Sequence, residues 1–163
     1  TDVDNTCTEP ESEEEGLACA PANDGELDDN LFFVFWRDDG DNVFEEREEN
    51  SIIDRGLAKD VLGNKRWALA DSVHGPGPIP SGKTVYIGKF FCYGDITPDP
   101  VPNDDGVNPT VASGFKCDGK AVTNISQTDL LVGDVSFYAE QHRNNPNFLC
   151  NPEGTQPPSP SPI

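Results

Sequence analysis

The chain has 163 residues, a formal net charge of −19 at pH 7 and a pI near 4.1, with only 34% hydrophobic residues. Such acidity argues against nucleic acid, whose phosphates need Lys and Arg, and against insertion into or binding to an anionic membrane; it favours cations, water or high salt. No apolar run approaches the ~20 residues of a membrane span, and nine Phe with two Trp, gathered in alternating runs, point to one folded domain.

A chain that opens at Thr1, without Met or a signal peptide, reads as a processed form. Residues 1–30 are polar and loop-like, and "ESEEEG" (Glu11 to Gly16) is a solvated charge run flanked by Cys7 and Cys19. Leu31 to Trp36 is nearly continuous in apolar residues, as in a strand buried on both faces. Arg55 to Gly63 predicts a short helix ended by Gly63, and His74 to Gly82 a loop punctuated by Pro and Gly. Lys83 to Gly94 predicts a strand, with Val85, Ile87, Lys89 and Phe91 on one face and Tyr86, Gly88, Phe90 and Cys92 on the other. Asp95 to Pro109 reads as a long Pro/Asp loop, and Thr110 to Cys117 as a strand closed by an Asp-Gly turn.

Ser126 to Arg143 carries the clearest strand pattern. Val135, Phe137, Ala139 and Gln141 face inward, Asp134, Ser136, Tyr138 and Glu140 face outward, and Gly133 marks a bulge. Gly154 to Ile163 reads as a polyproline-like tail. The predicted architecture is all-β, an antiparallel β-sandwich with long acidic and Pro-rich loops. One domain is expected over 1–150, followed by a Pro-rich C-terminal tail over 151–163.

The motifs of catalysis are missing. There is no HExxH to grip zinc and no GxSxG. His74 sits in a Pro/Gly loop and His142 at a strand end, so each reads as a surface histidine. Gly82-Lys83-Thr84 lacks the upstream Gly of a P-loop and precedes a strand. No enzyme is expected. The five cysteines, at 7, 19, 92, 117 and 150, form no CxxC pair, so a zinc site is unsupported. Their spread in an acidic, Pro- and Gly-rich chain suggests an oxidising, extracellular setting. The odd count leaves one thiol unpaired or joined to another chain.

One stretch is a candidate calcium loop. Asp39, Asp41, the Val43 carbonyl, Glu45 and Glu48 fall at positions 3, 5, 7, 9 and 12 of the oxygen-ligand pattern. Arg37 stands where the first acid belongs, Asn42 where Gly is usual, and Asp38 is the substitute ligand. The alternative is a solvated Asp/Gly turn followed by an acidic strand. Asn124-Ile125-Ser126 is a glycosylation sequon in form, whereas Asn108 is excluded by Pro109.

"TDVDNTC" (Thr1 to Cys7), "FVFWRDDGDNVFEERE" (Phe33 to Glu48), "YIGKFFCYGDIT" (Tyr86 to Thr97), "KCDGK" (Lys116 to Lys120) and above all "SQTDLLVGDVSFYAEQHRNNPNFLC" (Ser126 to Cys150) resemble the TasA/camelysin family of secreted proteins. The resemblance implies a jelly-roll-like β-sandwich and a structural subunit of an extracellular filament, on the cell surface or in a biofilm matrix. Neighbouring copies are then its partners, joined head to tail by donor-strand complementation, with divalent cations bridging filaments. Relatives carry a strand-forming segment before the part resembling "VDNTC", which leaves the donor open: residues 1–7, an earlier start, or another element. Some relatives have been labelled metallopeptidases, but no residues here support that label. A monomeric, calcium-dependent cell-surface binding module, using the Asp95 to Pro109 loop, is the alternative.

Read against the family, Cys92 and Cys117 each lie beside a strand end and flank the Asp/Pro loop, so their bridge is favoured. Cys7 with Cys19 is a second choice, and Cys7 with Cys150 stands close behind it. Five cysteines with one left over allow fifteen such pairings.

Overall fold

The computed structural model describes residues 2–3, 25–63, 65–103 and 108–150. The chain divides into two compact units, residues 1–65 with 84–134 and residues 66–83 with 135–163. The boundary expected after Cys150 falls at the edge of the described residues. Cys7, Cys19, the charge run between them and the Pro-rich tail lie outside them.

Among the described residues every strand belongs to the first unit. These are β1 (Asp2–Val3), β2 (Leu31–Asp38), β3 (Ile52–Leu57), β4 (Tyr86–Tyr93), β5 (Asp95–Pro98), β6 (Phe115–Asp118) and β7 (Leu130–Leu131). Two single-turn helices, α1 (Leu27–Asn30) and α2 (Ala58–Val61), accompany them. The strands form three antiparallel sheets, ordered β3-β2-β4, β5-β6 and β1-β7. No described helix is long and apolar enough to cross a membrane.

β2 is the axis. Its residues, LFFVFWRD, are the aromatic and β-branched types that suit a pleated surface. It is paired along both edges, and the consecutive residues Phe33 to Trp36, which point alternately to its two faces, are all buried, so its apolar run is continuous. Against β4 the register runs from Leu31 opposite Tyr93 to Asp38 opposite Tyr86. Against β3 it shifts after Phe35, which faces Asp54, while Trp36 faces Ile52. The bulge therefore lies at Ile53, and not at Gly133.

One face of β2 carries Val34 and Trp36. They join Phe44 and Phe115 in the buried core, with Phe32, Ile52, Phe90 and Ile96 packed around it. The Phe44 ring meets Trp36 edge-on at 5.7 Å and stacks on Phe115 at 4.6 Å, and Phe90 stacks on Phe115 at 5.1 Å. Phe115 thus ties the β5–β6 hairpin to the larger sheet. A disulfide between Cys92 of β4 and Cys117 of β6, Cα atoms 5.6 Å apart, makes the same join covalently. Opposite Trp36 stands Gly88, and a Cβ there would lie 2.1 Å from the indole ring. On the other face Phe33 stacks with Phe35 and leans on Phe91, and α2 buries Ala58 and Val61 against β2 and β3.

Four predicted elements differ. The helix expected over Arg55 to Gly63 starts only at Ala58, because Arg55 to Leu57 pair with β2 as part of β3. The Pro/Asp loop begins with four residues of strand, because Asp95 to Pro98 pair with Asp118 to Phe115. The strand expected over Thr110 to Cys117 starts only at Phe115, after a turn at 109–111. The strand expected over Ser126 to Arg143 is confined to Leu130–Leu131. Turns hold 124–129, and residues 132–140 form no ladder among the described residues. Val135 and Phe137, predicted to face inward, are 64% and 74% exposed. Alternation prepares a segment for a sheet, but a partner edge makes it a strand, and β1 supplies two residues of edge.

Gly88→Ala must push the indole off β4. It is expected to lower stability by about 1–3 kcal/mol, the usual range for an overpacked core, read as a drop in urea midpoint at unchanged slope. An unaltered midpoint would show that the indole yields freely.

Candidate functional site

The acidic loop begins where β2 ends. Asp38 is the last residue of the strand, and one of its oxygens, Oδ2, accepts the backbone N–H groups of Gly40 at 2.9 Å and Asn42 at 3.1 Å. Asp41 Oδ1 accepts the N–H of Val43 at 2.8 Å. Such side-chain bonds to backbone two or more residues ahead are what Asp offers a turn. Gly40 and Asn42 both adopt positive φ, 127° and 60°, which explains a Gly and an Asn at these places.

Val43 and Phe44 then re-enter the core, each 1% exposed. Phe44 donates its N–H to Ser113 and accepts from Val101, so the loop's exit is fixed to two other segments. Glu45 and Glu48 follow at the ends of a 3₁₀ turn and cap it reciprocally, with the Glu45 N–H donating to Glu48 Oε2 at 3.1 Å. Both side chains are buried. Arg47 pairs with Asp39 and, at 2.7 Å, with Glu45, so one cation spans the loop and the turn.

The expected ligand set therefore separates. Asp38, Asp39 and Asp41 bring carboxylate oxygens within 4.8 Å of one another. Glu45 and Glu48 are not among these three and cap the 3₁₀ turn, while the Val43 side chain is buried in the core. Burial, the larger influence, pushes the Glu48 carboxyl above its ordinary pKa of 4.5 despite the hydrogen bond from Glu45, and the charges of Asp38, Asp39 and Glu45 push it the same way. Asp38 Oδ1 is buried without a hydrogen-bond partner among the described residues.

Side chains also close the edges of the main sheet. Asn42 accepts the Lys89 N–H at 2.8 Å and donates to the Lys89 carbonyl at 3.4 Å, occupying the outer edge of β4. The Arg55 N–H of β3 goes to Asp54 Oδ1, and Lys65 pairs with Oδ2 of the same carboxylate at 3.2 Å. Filled edges of this kind discourage lateral strand addition at those points.

In the second unit the structure assembles a group that the sequence does not announce. Asp71, 3% exposed, accepts the backbone N–H groups of Val73, His74 and Cys150 at 2.7, 2.6 and 2.9 Å, and holds His74 Nδ1 at 2.9 Å. Burial would raise its pKa. The N–H groups of His74, Cys150 and Val73, with the His74 ring, outweigh burial and hold the carboxylate below the usual range. His74 is thus a partner of a buried acid, and more than a surface residue. Cys150 is a free thiol that donates to the Ala70 carbonyl at 3.2 Å, so the alternative bridge from Cys7 to Cys150 is not formed. Burial and the neighbouring Asp71 charge raise the thiol's pKa, the opposite of what activates a nucleophile. No hydrogen bond joins His74 to Cys150, so the trio anchors a loop and lacks a base–nucleophile contact. Asn124, the sequon residue, is exposed.

Comparison of the chain with family models, curated proteins and solved structures finds no match in any of the three.

Replacing Glu48 by Gln keeps an oxygen for the Glu45 N–H and removes a disfavoured buried charge. The folded pKa lies above 4.5, so ionisation of Glu48 costs stability increasingly as pH rises from 4.5 through the folded value. Glu48→Gln is therefore expected to be more stable than wild type at pH 7, with the gap closing below pH 4.5. Chemical denaturation at the two pH values measures this, and a variant less stable at pH 7 would contradict it.

Proposed function

We propose that this chain is a structural subunit of an extracellular filament, a jelly-roll-like β-sandwich that joins copies of itself head to tail by donor-strand complementation. The observation that carries this reading is the stretch after β7. Beyond Leu131 it joins no ladder among the described residues, and it holds Val135 and Phe137 out in water. Each such side chain favours burial by ~1.5–3 kcal/mol, and an apolar segment outside the described ladders suits strand addition to another chain. A head-to-tail contact of this kind does not close on itself, so it propagates.

Three further features agree. The Cys92–Cys117 disulfide suits an oxidising compartment. The filled edges at Lys89 and Arg55 steer assembly away from uncontrolled lateral growth of the main sheet. The net charge of −19 keeps assembled filaments hydrated and repelling one another.

Electron microscopy of the purified protein across concentration and salt tests the reading. Unbranched filaments of constant width are expected. Monodisperse particles under every condition would overturn it.

Within this reading the Asp38–Asp39–Asp41 cluster is a divalent-cation contact. Its oxygens are partly spent, since Asp38 Oδ2 and Asp41 Oδ1 hold the loop backbone and Asp39 holds Arg47. What remains falls short of the six to eight oxygens that calcium prefers. The contact is therefore open and shared with water or a second subunit, unlike a closed twelve-residue loop. Calcium is expected to raise the melting temperature of the wild type and to do so less in Asp41→Asn, which retains an oxygen for the Val43 N–H but loses the charge. Equal shifts in both proteins would remove calcium from the account.

A further inference from the structure

The charge of the chain is unevenly spread. Between Asp60 and Asp95 it carries four Lys and Arg but one acid, Asp71, which is 3% exposed. In this stretch stands the only adjacent pair of cations in the sequence, Lys65-Arg66. Charges more than about 10 Å apart are largely screened in ordinary salt. An acidic protein surface approaching here therefore meets the local cations first, whatever the net charge of −19.

Both side chains are exposed, and residues 65–69 belong to no helix or strand. The two cations are held differently. Lys65 Nζ is tied to Asp54 Oδ2 at 3.2 Å. Arg66 has no hydrogen bond or ion pair among the described residues. A free guanidinium beside a fixed ammonium, on backbone outside every ladder, suits a protease cleft whose specificity pocket is acidic.

We propose that Lys65-Arg66 is a processing site, at which an endoprotease that reads basic residues cuts the folded chain after Arg66 and leaves both fragments in one particle. Water adds across the Arg66–Trp67 peptide. The C–N bond breaks, Arg66 gains a carboxylate and Trp67 an ammonium group, and no oxidant or reductant is needed. Other cations offer less. Arg37, Arg55, Lys89 and Lys116 sit in strands, whose ladder bonds keep the backbone out of a cleft. Lys83 and Arg143 are exposed but single.

The cut does not divide the core of the first unit. β2 and β3 precede it and β4 to β6 follow it, yet β2 pairs with β4 from Leu31–Tyr93 to Asp38–Tyr86, Trp36 lies over Gly88, and Phe44 stacks on Phe115. The Cys92–Cys117 disulfide lies wholly after the cut, so these contacts, and not that bond, join the fragments.

Limited digestion of the native chain with trypsin, read by mass spectrometry, tests the proposal. Fragments 1–66 and 67–163 should appear first, elute together in size-exclusion chromatography and part only in denaturant. A protease that requires two adjacent basic residues should make the same cut and no other. The double variant Lys65→Gln with Arg66→Gln should be cut here at least about a hundredfold more slowly, since an acidic pocket left without its partner rejects an uncharged side chain. Both side chains are exposed, so the variant is expected to fold, and its melting curve checks this. A first trypsin cut after Lys83, Arg143 or any other residue would overturn the proposal. So would a folded double variant digested as fast as wild type, or fragments that separate without denaturant.

Discussion

The first unit depends on the contact of one indole with one glycine. Trp36 is fully buried, and it lies over Gly88 because nothing projects from the opposite strand at that point. Laid flat, the ring meets Phe44 nearly at right angles and Phe115 at a tilt. These two phenylalanines come from segments about seventy residues apart in sequence, and their stacking brings the acidic loop and the β5–β6 hairpin to the same place. The Cys92–Cys117 bridge reinforces the join by shortening the unfolded chain's reach over a separation of 25 residues. The contact has a cost, because the indole Nε1 is buried without a hydrogen-bond partner among the described residues.

From that anchor the abrupt change from apolar strand to carboxylate run has a physical explanation. β2 ends as its last residue, Asp38, turns an oxygen back onto the loop, and Asp41 does the same one step later. Val43 and Phe44 return to the core, so the loop is pinned at both ends and its length is fixed. Glu45 and Glu48 then serve a 3₁₀ turn, and Arg47 offsets part of the accumulated charge. Most of these carboxylates therefore have structural work. Only what is left over, around Asp38, Asp39 and Asp41, is free to meet a cation.

How much of this was legible in the sequence depended on whether the deciding partner was local. β2 and β4 were legible because a continuous apolar run and a clean alternation each imply a buried surface, and the two faces of β4 fell where predicted, with Gly88 and Cys92 inward. The end of α2 was legible from Gly63 just beyond it, but its start was not, because Arg55 to Leu57 belong to β3 and pair with a distant strand. β5 was hidden by its prolines, since Pro98 sits at the strand end where a missing N–H is tolerated. The stretch after β7 misled because its alternation is real, while among the described residues no ladder extends beyond Leu131. In the loop, the spacing of carboxylates suggested calcium ligands, but spacing does not say that Glu45 and Glu48 will satisfy each other. The Asp71 group was invisible, because Cys150 meets Asp71 across 79 residues.

Among the described residues, Val135 and Phe137 stay exposed beyond the last strand. A structural subunit that polymerises through this segment accounts for them, and for an acidic exterior that needs water. Hydrogen exchange of backbone amides before and after assembly tests this most directly. The account predicts that amides 134–140 exchange fast in the dilute monomer and become protected on assembly, while those of β2 are protected throughout. Assembly that leaves 134–140 exchanging as fast as in the monomer would contradict it.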